Sequence, residues 1–141
     1  MKIKVQKIGN IKIPNYAHQR DAGLDIYSAE ENYNLKAGER KGFLTSIKME
    51  IPDGYVGLVW DKSGLASKYG IKTMAGVIDS TYRGEIIIIL INLGSENYLV
   101  EKNTKIAQIL IQKIEQVEIE EVENLENTER GDEGFGSTGK L

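Results

Sequence analysis

The apolar residues of this chain fall in short runs, and the longest run lies within residues 76–92, GVIDSTYRGEIIIILIN. Residues 86–91 are apolar without interruption and almost all β-branched, which predicts a β-strand buried on both faces. A shorter apolar pair at 77–78 precedes this run, and Asp79 and Tyr82 stand between the two. A polar turn between two core segments would hold a carboxylate and a phenol in fixed positions. The alternative is an ordinary hairpin in which Asp79 only serves the turn.

Alternation of apolar and polar positions elsewhere predicts more strands. Residues 42–51 alternate well, with Phe43, Thr45, Ile47, Met49 and Ile51 on one side, and a Pro-Asp-Gly turn separates them from an apolar strand at 55–60. Further strands are predicted at 24–27, 97–100, 106–111 and 117–122. Residues 63–69 are the one convincing helix candidate, which Gly70 would end. Many short strands separated by turns indicate an all-β, jelly-roll-like fold.

Composition narrows the classes of function. The chain of 141 residues suits one domain, for which we predict a core at 1–122 and a more polar C-terminal arm at 123–141. Its formal net charge is -3, with 18 basic and 21 acidic residues, so a nucleic-acid partner is not expected. The absence of cysteine excludes thiolate chemistry, and the single histidine, His18, argues against a histidine-rich metal cluster or a Ser-His-Asp triad.

The hydropathy pattern also bears on location. No apolar run approaches the roughly 20 residues of a membrane span. The first residues, MKIKVQKIG, alternate apolar and charged positions, which is typical of a strand and not of a signal peptide. We therefore expect a cytoplasmic protein without a membrane partner.

Two polar segments are candidates for binding an anion. Residues 61–66, DKSGLA, follow a strand and begin the predicted helix, where unpaired N–H groups favour phosphate. The alternative there is a simple N-cap by Ser63 or Asp61. Residues 129–141, ERGDEGFGSTGKL, place Phe135 between glycines, where its ring could stack on a base. The alternative for this segment is a disordered tail.

Taken together, five segments resemble the ordered motifs of the homotrimeric dUTP pyrophosphatases, the dUTPase family. They are DAGLDIYS (21–28), DKSGLASKYGI (61–71), GVIDSTYRGEI (76–86), KIAQILI (105–111) and RGDEGFGSTG (130–139). The resemblance implies a jelly-roll-like (β-clip) subunit and a homotrimer whose active sites are each built from more than one chain. It also implies hydrolysis of dUTP to dUMP and pyrophosphate, with Mg²⁺ bound through the triphosphate.

The resemblance also implies roles for single residues. Asp79 matches the catalytic, water-activating carboxylate, and Tyr82 matches the phenol that packs on the deoxyribose and excludes a 2′-hydroxyl. Arg83 and Gly84 match structural positions at the end of the third motif. The loop that reads the uracil edge is matched by Thr73, Gly76, Val77 and Ile78.

The phosphate side of the implied site comes from the other motifs. Asp25 matches the acid of the first motif, which lies near the phosphates and acts on the metal indirectly, through water. The phosphate contacts are matched by Lys62, Ser63, Gly64 and Gln108. The arm that closes over the uracil and the γ-phosphate is matched by Arg130, Phe135, Gly136, Ser137 and Thr138.

The chain departs from the family pattern at a few positions. Lys62 stands where arginine is usual, and a lysine cannot offer the bidentate fork of a guanidinium to phosphate. Asp61 replaces a proline-like position and Glu133 a glycine, so both add negative charge near the expected triphosphate. These departures bear on affinity more than on the type of reaction.

Three other functions fit a fold of this kind. A dCTP deaminase shares it but should carry a glutamate base in a different third motif, and a bifunctional deaminase–hydrolase meets the same objection. A non-catalytic, nucleotide-sensing trimer would keep the fold and lose the chemistry. The sequence IDSTYRG at 78–84 favours the hydrolase.

Overall fold

A computed structural model describes residues 1–132 of the chain. Over that range it contains eleven short strands and one helix, and the connections between them are turns and irregular segments. The elements are β1 Lys4–Lys7, β2 Leu24–Tyr27, β3 Tyr33–Leu35, β4 Arg40–Leu44, β5 Ile47–Glu50, β6 Tyr55–Trp60, α1 Ser63–Tyr69, β7 Ile71–Met74, β8 Val77–Ile78, β9 Ile87–Asn92, β10 Tyr98–Val100 and β11 Lys105–Lys113.

The strands form small antiparallel sheets around one apolar core. A four-stranded sheet has the order β2-β11-β6-β8, and a three-stranded sheet has the order β4-β9-β7. Two further pairs, β1-β5 and β10-β3, complete the described sheets. In the four-stranded sheet Gln108 of β11 lies between Asp25 of β2 and Trp60 of β6. This register brings the first, second and fourth motifs to one part of the molecule.

Alternation of burial is confirmed over residues 42–51, although the predicted single strand is divided. Phe43, Thr45, Ile47, Met49 and Ile51 are all buried. The break falls at Ser46, which has a φ of 53°. The Ser46 N–H donates to Glu85 Oε1 at 2.7 Å, and the Thr45 hydroxyl donates to the Ile86 carbonyl at 2.6 Å. These bonds to the start of the β9 segment take the place of a continuous strand.

The predicted burial of residues 86–91 on both faces is wrong for the single chain. Ile86, Ile88 and Leu90 are buried, whereas Ile87 is exposed and Ile89 is only partly buried. One face of β9 packs against the core, and the opposite face is covered only in part. An unbroken apolar run does not by itself distinguish these two arrangements.

The helix prediction is confirmed, and the last strand prediction is wrong. Helix α1 ends at Gly70, whose φ of 69° places it in the left-handed region that favours glycine. Residues 117–122 form no strand, and Val117 and Ile119 are 74% and 84% exposed. Strand β11 ends at Lys113, and no described strand lies beside the residues that follow. Alternation alone therefore indicated a strand that has no pairing partner among residues 1–132.

Candidate active site

The turn after β8 presents Asp79 to solvent. The Tyr82 N–H donates to the Asp79 carbonyl at 3.1 Å, which closes the turn. Arg83 Nη1 donates to the carbonyls of Ser80 and Tyr82, at 2.5 and 2.9 Å, and so braces the same turn from outside. The Asp79 side chain is exposed, and no hydrogen bond or ion pair joins its carboxylate to another residue in 1–132. Its oxygens are therefore available to a ligand or to water.

This turn is not the hairpin that we considered as an alternative. Strand β8 pairs with β6, whereas β9 pairs with β4 and β7, so the turn passes from one sheet to another. Backbone pairing between β8 and β9 is absent from the described sheets. The position of Asp79 is consequently set by two separate sheets.

Tyr82 is held beside Asp79 by a contact that requires glycine. The Tyr82 hydroxyl donates to the Glu85 carbonyl at 2.9 Å. A Cβ added at Gly84 would lie 2.3 Å from that hydroxyl oxygen, so the ring rests directly on the Gly84 backbone. A shallow depression is lined by Val77, Ile78, Asp79, Tyr82, Glu85 and Ile87. The catalytic and sugar-packing candidates thus share one surface.

The predicted base-reading loop joins β7 to β8. Thr73 is buried in β7, and the chain then turns through Ala75 and Gly76, with φ values of 58° and 108°. The Val59 N–H donates to the Gly76 carbonyl at 2.8 Å, and a Cβ at Gly76 would lie 2.9 Å from the Val59 carbonyl oxygen. This loop borders a second depression, on which Trp60 and Val77 also lie. Val77 is therefore common to both depressions.

Asp25 lies in a buried ion cluster. Its side chain is only 2% exposed, and its two oxygens lie 2.6 Å from Lys62 Nζ and 2.6 Å from Lys105 Nζ. Burial acts to raise the pKa of Asp25, but the hydrogen bonds and charges of Lys105 and Lys62 outweigh it and hold that pKa below its ordinary value. The same hydrogen bond to Asp25 raises the pKa of Lys105. One carboxylate between two ammonium groups leaves a net positive charge.

Lys105 is a candidate that sequence reasoning missed. It opens the fourth motif, KIAQILI, and with Lys62, Gly64 and Lys68 it borders a third open depression. A lysine at the head of an otherwise uncharged motif was the only signal in the sequence. Its pairing with β2 could not be read from that signal.

The position of Asp61 suggested that its negative charge would lie near the triphosphate, but its carboxylate is bonded to residues of β7. Its Oδ1 accepts from the Thr73 N–H at 2.6 Å and from the Thr73 hydroxyl at 2.7 Å, and its Oδ2 lies 2.9 Å from Lys72 Nζ. Burial acts to raise the pKa of Asp61, but the bonds from Thr73 and Lys72 outweigh it and lower that pKa. The carboxylate faces β7 and is neutralised there.

The start of helix α1 lacks the side-chain cap that we considered. Lys62, the N-cap residue, is extended, and no side chain caps the described helix. The cap alternative is therefore wrong for both Ser63 and Asp61. Ser63 and Gly64 are exposed at the first turn.

The remaining predicted residues are Gln108, on β11, and those of the C-terminal arm. Gln108 Nε2 donates to the Asp61 carbonyl at 2.8 Å, and a Cβ at Gly23 would lie 2.2 Å from Gln108 Oε1, so this amide is held firmly in place. Arg130 lies in an exposed segment. The predicted arm residues Phe135, Gly136, Ser137 and Thr138 lie outside the described residues.

The described residues provide neither a cluster of metal ligands nor a membrane-spanning helix. Within 1–132 no group of three or more acidic or histidine side chains could hold a metal ion. This donor set does not fit a metal cage made by the protein alone, but it does fit Mg²⁺ carried on substrate phosphates, since Mg²⁺ commonly binds in that way. Over the same range, the one helix is too short to cross a bilayer.

Comparisons with known proteins agree in sequence and in fold. The dUTPase family model matches residues 9–139. The deoxyuridine 5'-triphosphate nucleotidohydrolase of Clostridium kluyveri is 49% identical over 144 residues, with 100% of both chains covered. The protein of the same name from Rickettsia felis is 44% identical over 143 residues, with 97% of this chain and 96% of that protein covered.

Two solved structures give the same result. A variant of the Staphylococcus bacteriophage 80alpha dUTPase with dUpNHpp has a TM-score of 0.90 at 30% identity, covering 98% of each chain. A variant of the phage phi11 dUTPase of S. aureus, solved to show how a structural Mg(II) ion is coordinated, has a TM-score of 0.83 at 27% identity, covering 90% of this chain and all of that one. The predicted jelly-roll-like, all-β fold is thereby confirmed. The chain belongs to the dUTPase family.

Proposed function

We propose that this protein hydrolyses dUTP to dUMP and pyrophosphate. A water oxygen attacks the α-phosphorus, the bond from that phosphorus to the bridging oxygen of the β-phosphate breaks, and the water proton passes to a base. Membership of the dUTPase family supports the substrate and the reaction. The observation that carries the mechanism is an exposed carboxylate, Asp79, fixed beside Tyr82 on one surface.

Asp79 is the general base in this proposal. A base must reach the attacking water and retain a free lone pair, and the Asp79 carboxylate makes no bond to other residues in the described part of the chain. The two-sheet anchoring of its turn limits where the carboxylate can go. A single positioned base contributes about 10²- to 10⁴-fold to such a reaction.

Recognition of the nucleoside is assigned to the same region. Tyr82 packs against the sugar and leaves no space for a 2′-hydroxyl, a role supported by its fixed ring on Gly84. Thr73, Gly76, Val77 and Ile78 supply the backbone edge that reads uracil. A loop with two left-handed residues and a carbonyl already bonded to Val59 is rigid enough for such a task.

The triphosphate is assigned to the lysine-rich side, which comprises Lys62, Ser63 and Gly64, with Gln108 nearby. Bound Mg²⁺ would neutralise charge on the phosphates. Asp25 would act toward that ion only indirectly, since both of its oxygens are held by lysines. The net positive charge of the Asp25, Lys62 and Lys105 cluster supports an anion at this side.

The active assembly in this proposal is a homotrimer with shared sites. The depression that holds Asp79 and Tyr82 and the depression that holds Lys62 and Gly64 share no lining residue. A second chain could bring the missing half to each. Apolar side chains that the described chain leaves exposed, on β9 and at Val117, Ile119 and Leu125, would be covered in such an assembly.

The C-terminal arm completes the proposed site. Arg130 offers a fork to phosphate oxygens, Phe135 stacks on uracil, and Gly136, Ser137 and Thr138 approach the γ-phosphate. Stacking of an aromatic ring on a base contributes about 1–3 kcal/mol. We assign the reaction to the cytoplasm, where free nucleoside triphosphates are found.

A nucleotide panel tests the proposal. The protein is incubated separately with dUTP, dCTP, UTP and dTTP in the presence of Mg²⁺, and the products are identified. We expect dUTP to be cleaved to dUMP and pyrophosphate, at a rate well above the rate of cleavage of the other three nucleotides. Release of ammonia from dCTP would instead indicate a deaminase, and no turnover of any nucleotide would indicate a binding protein.

A further inference from the structure

Asp61 connects the phosphate-side segment and the base-reading segment that one chain contributes to the proposed sites. It is the last residue before the lysine-bearing turn that begins α1, and it directly follows β6. Its carboxylate crosses to β7, where one oxygen accepts both the backbone N–H and the hydroxyl of Thr73. Its carbonyl accepts from Gln108 on β11. One residue thus joins β6, β7 and β11.

The Thr73 end of this link is the start of the base-reading loop. Thr73 is buried, pairs with Leu90 across β7 and β9, and is followed at once by the turn through Ala75 and Gly76. Two bonds of 2.6 and 2.7 Å to one carboxylate oxygen fix both its backbone and its side chain. The path of the loop beyond Met74 therefore depends on where Asp61 holds Thr73.

The Lys62 end of the link is the phosphate side. Lys62 is the next residue after Asp61, and its ammonium group is held by Asp25 at 2.6 Å. Asp61 is thus fixed through its own carbonyl by Gln108 and flanked by a residue that is also fixed. Displacement of Asp61 would be transmitted in both directions.

We propose that Asp61 is a positioning residue that sets the discrimination for uracil by holding Thr73 at the start of the base-reading loop. This inference rests on the proposed function. It gives Asp61 a role through hydrogen bonds to Thr73, whereas its ion pair with Lys72, which is half exposed, is of little consequence. The negative charge of Asp61 serves this clamp and does not face the triphosphate.

Three variants separate the clamp from the ion pair. Asp61→Ala removes both bonds to Thr73. Asp61→Asn keeps an oxygen that can accept them and loses the charge and the acceptor for Lys72. Lys72→Met removes only the partner of the ion pair and is the matched control, since it leaves both bonds from Thr73 to Asp61 in place.

The measurements are kcat and KM for dUTP, and the ratio of kcat/KM for dUTP to that for dCTP. For Asp61→Ala we expect KM for dUTP to rise and the ratio to fall roughly 10- to 100-fold, with kcat changed much less, because a displaced reading loop misplaces the base while Asp79 stays in its own turn. Asp61→Asn should restore the ratio to within about threefold of the wild type, and Lys72→Met should not change it.

The outcomes separate failure of this inference from failure of the proposed function. A residue with only a structural role would lower the melting temperature in Asp61→Ala and leave the dUTP to dCTP ratio unchanged, which would overturn the inference while the proposed function stands. Equal losses in Asp61→Ala and Lys72→Met would overturn it as well.

If Asp61→Ala fails to fold, Thr73→Val breaks only the hydroxyl bond and should lower the ratio in the same direction; an unchanged ratio there overturns the inference. A wild-type protein that does not cleave dUTP would overturn both.

Discussion

Two carboxylates that this chain contributes to the proposed active sites have opposite environments. Asp25 is almost fully buried, and each of its oxygens lies 2.6 Å from a lysine ammonium group. Asp79 is exposed, and nothing else in residues 1–132 bonds to its carboxylate. The two side chains are chemically identical, so only their surroundings distinguish them.

The difference shows which carboxylate is suited to chemistry. Asp25 is buried and lies against two lysine ammonium groups, so this residue can hold Lys62 and Lys105 in place but is shielded from solvent water. Asp79 makes no side-chain bond that holds the described fold, and its turn is fixed instead by a backbone bond and by the Arg83 side chain. We infer a division of labour in which Asp25 organises charge and Asp79 accepts a proton.

The largest expected effect comes from removing the charge of Asp79. Asp79→Asn should lower kcat for dUTP by roughly 10²-fold or more, because an amide cannot accept the proton of the attacking water. The fold and the affinity for a non-hydrolysable dUTP analogue should be unchanged, which steady-state kinetics and calorimetry would check. Asp53→Asn, at another exposed turn, is the control. Wild-type turnover in Asp79→Asn would exclude Asp79 as the base.

Removing the charge of Asp25 should act on stability. Asp25→Asn leaves two lysines without their carboxylate, and loss of one partner from a buried pair costs about 3–5 kcal/mol. Lys62 and Lys105 are 28% and 43% exposed, so water relieves part of this cost, and we expect about 2 kcal/mol in the free energy of unfolding.

Urea unfolding at one fixed protein concentration measures this change. The control is Glu50→Gln, which removes a surface ion pair with Lys4 and should cost less than about 1 kcal/mol. Equal losses of unfolding free energy in the two variants would show that the Asp25 cluster stabilises the fold no more than a surface ion pair does.

The ion pairs of Asp25 with Lys62 and Lys105 predict that the free energy of unfolding depends on pH. The folded pKa of Asp25 lies below its ordinary value of 3.8, so its stabilisation is complete above that pH and is lost as the pH falls through the folded value. The difference in unfolding free energy between wild type and Asp25→Asn should therefore be constant near neutrality and shrink below about pH 4. Urea titrations of both proteins at several pH values would show it; a difference that grows on acidification would contradict the sign.

The extent to which the sequence predicts this fold depends on the element. Alternation at 42–51 and the glycine after α1 are local signals, and the structure follows both. The strand expected at 117–122 is wrong, because alternation states a preference and a strand also needs a neighbour. The half-exposed β9 shows the same limitation, because an apolar run does not indicate which element packs against each face of the strand.

The candidate site is predicted from sequence only as a set of residues. Motif order singled out Asp79 and Tyr82, which the structure places on one surface. It did not indicate that Gln108 is bonded to Asp61, or that Asp61 faces Thr73. Nor did it identify Lys105, which reaches Asp25 across the β2–β11 pairing. Side-chain pairings between distant segments follow from register, which no local pattern fixes.

A smaller effect is expected from displacing the Tyr82 ring, which lies beside Asp79. Gly84→Ala would place a Cβ 2.3 Å from the Tyr82 hydroxyl oxygen, so the ring must move although its chemistry is unchanged. We expect the preference for dUTP over UTP, measured as a ratio of kcat/KM, to fall about tenfold. Tyr82→Phe, which keeps the ring, is the matched control and should retain most of the preference. If Gly84→Ala discriminates as well as the wild type, the sugar is recognised elsewhere.

The smallest expected effect tests whether the buried cluster also serves the substrate. Lys62 meets Asp25 with a single ammonium group, which must be shared if a phosphate is to be bound as well. Arginine at this position could give one edge of its fork to Asp25 and the other to a phosphate oxygen. Asp61 does not compete for it, because its carboxylate is already held by Thr73 and Lys72. Lys62→Arg should therefore tighten binding of a non-hydrolysable dUTP analogue by about two- to fivefold, while affinity for dUMP changes less because fewer phosphates reach this side. Calorimetric titration of both ligands measures the two affinities, and Lys113→Arg, at the exposed end of β11, controls for a general effect of replacing an ammonium group by a guanidinium group. Unchanged or weaker binding of the triphosphate analogue would mean that Asp25 keeps Lys62 for itself, so that the buried carboxylate only holds the fold and the phosphates are bound by other groups.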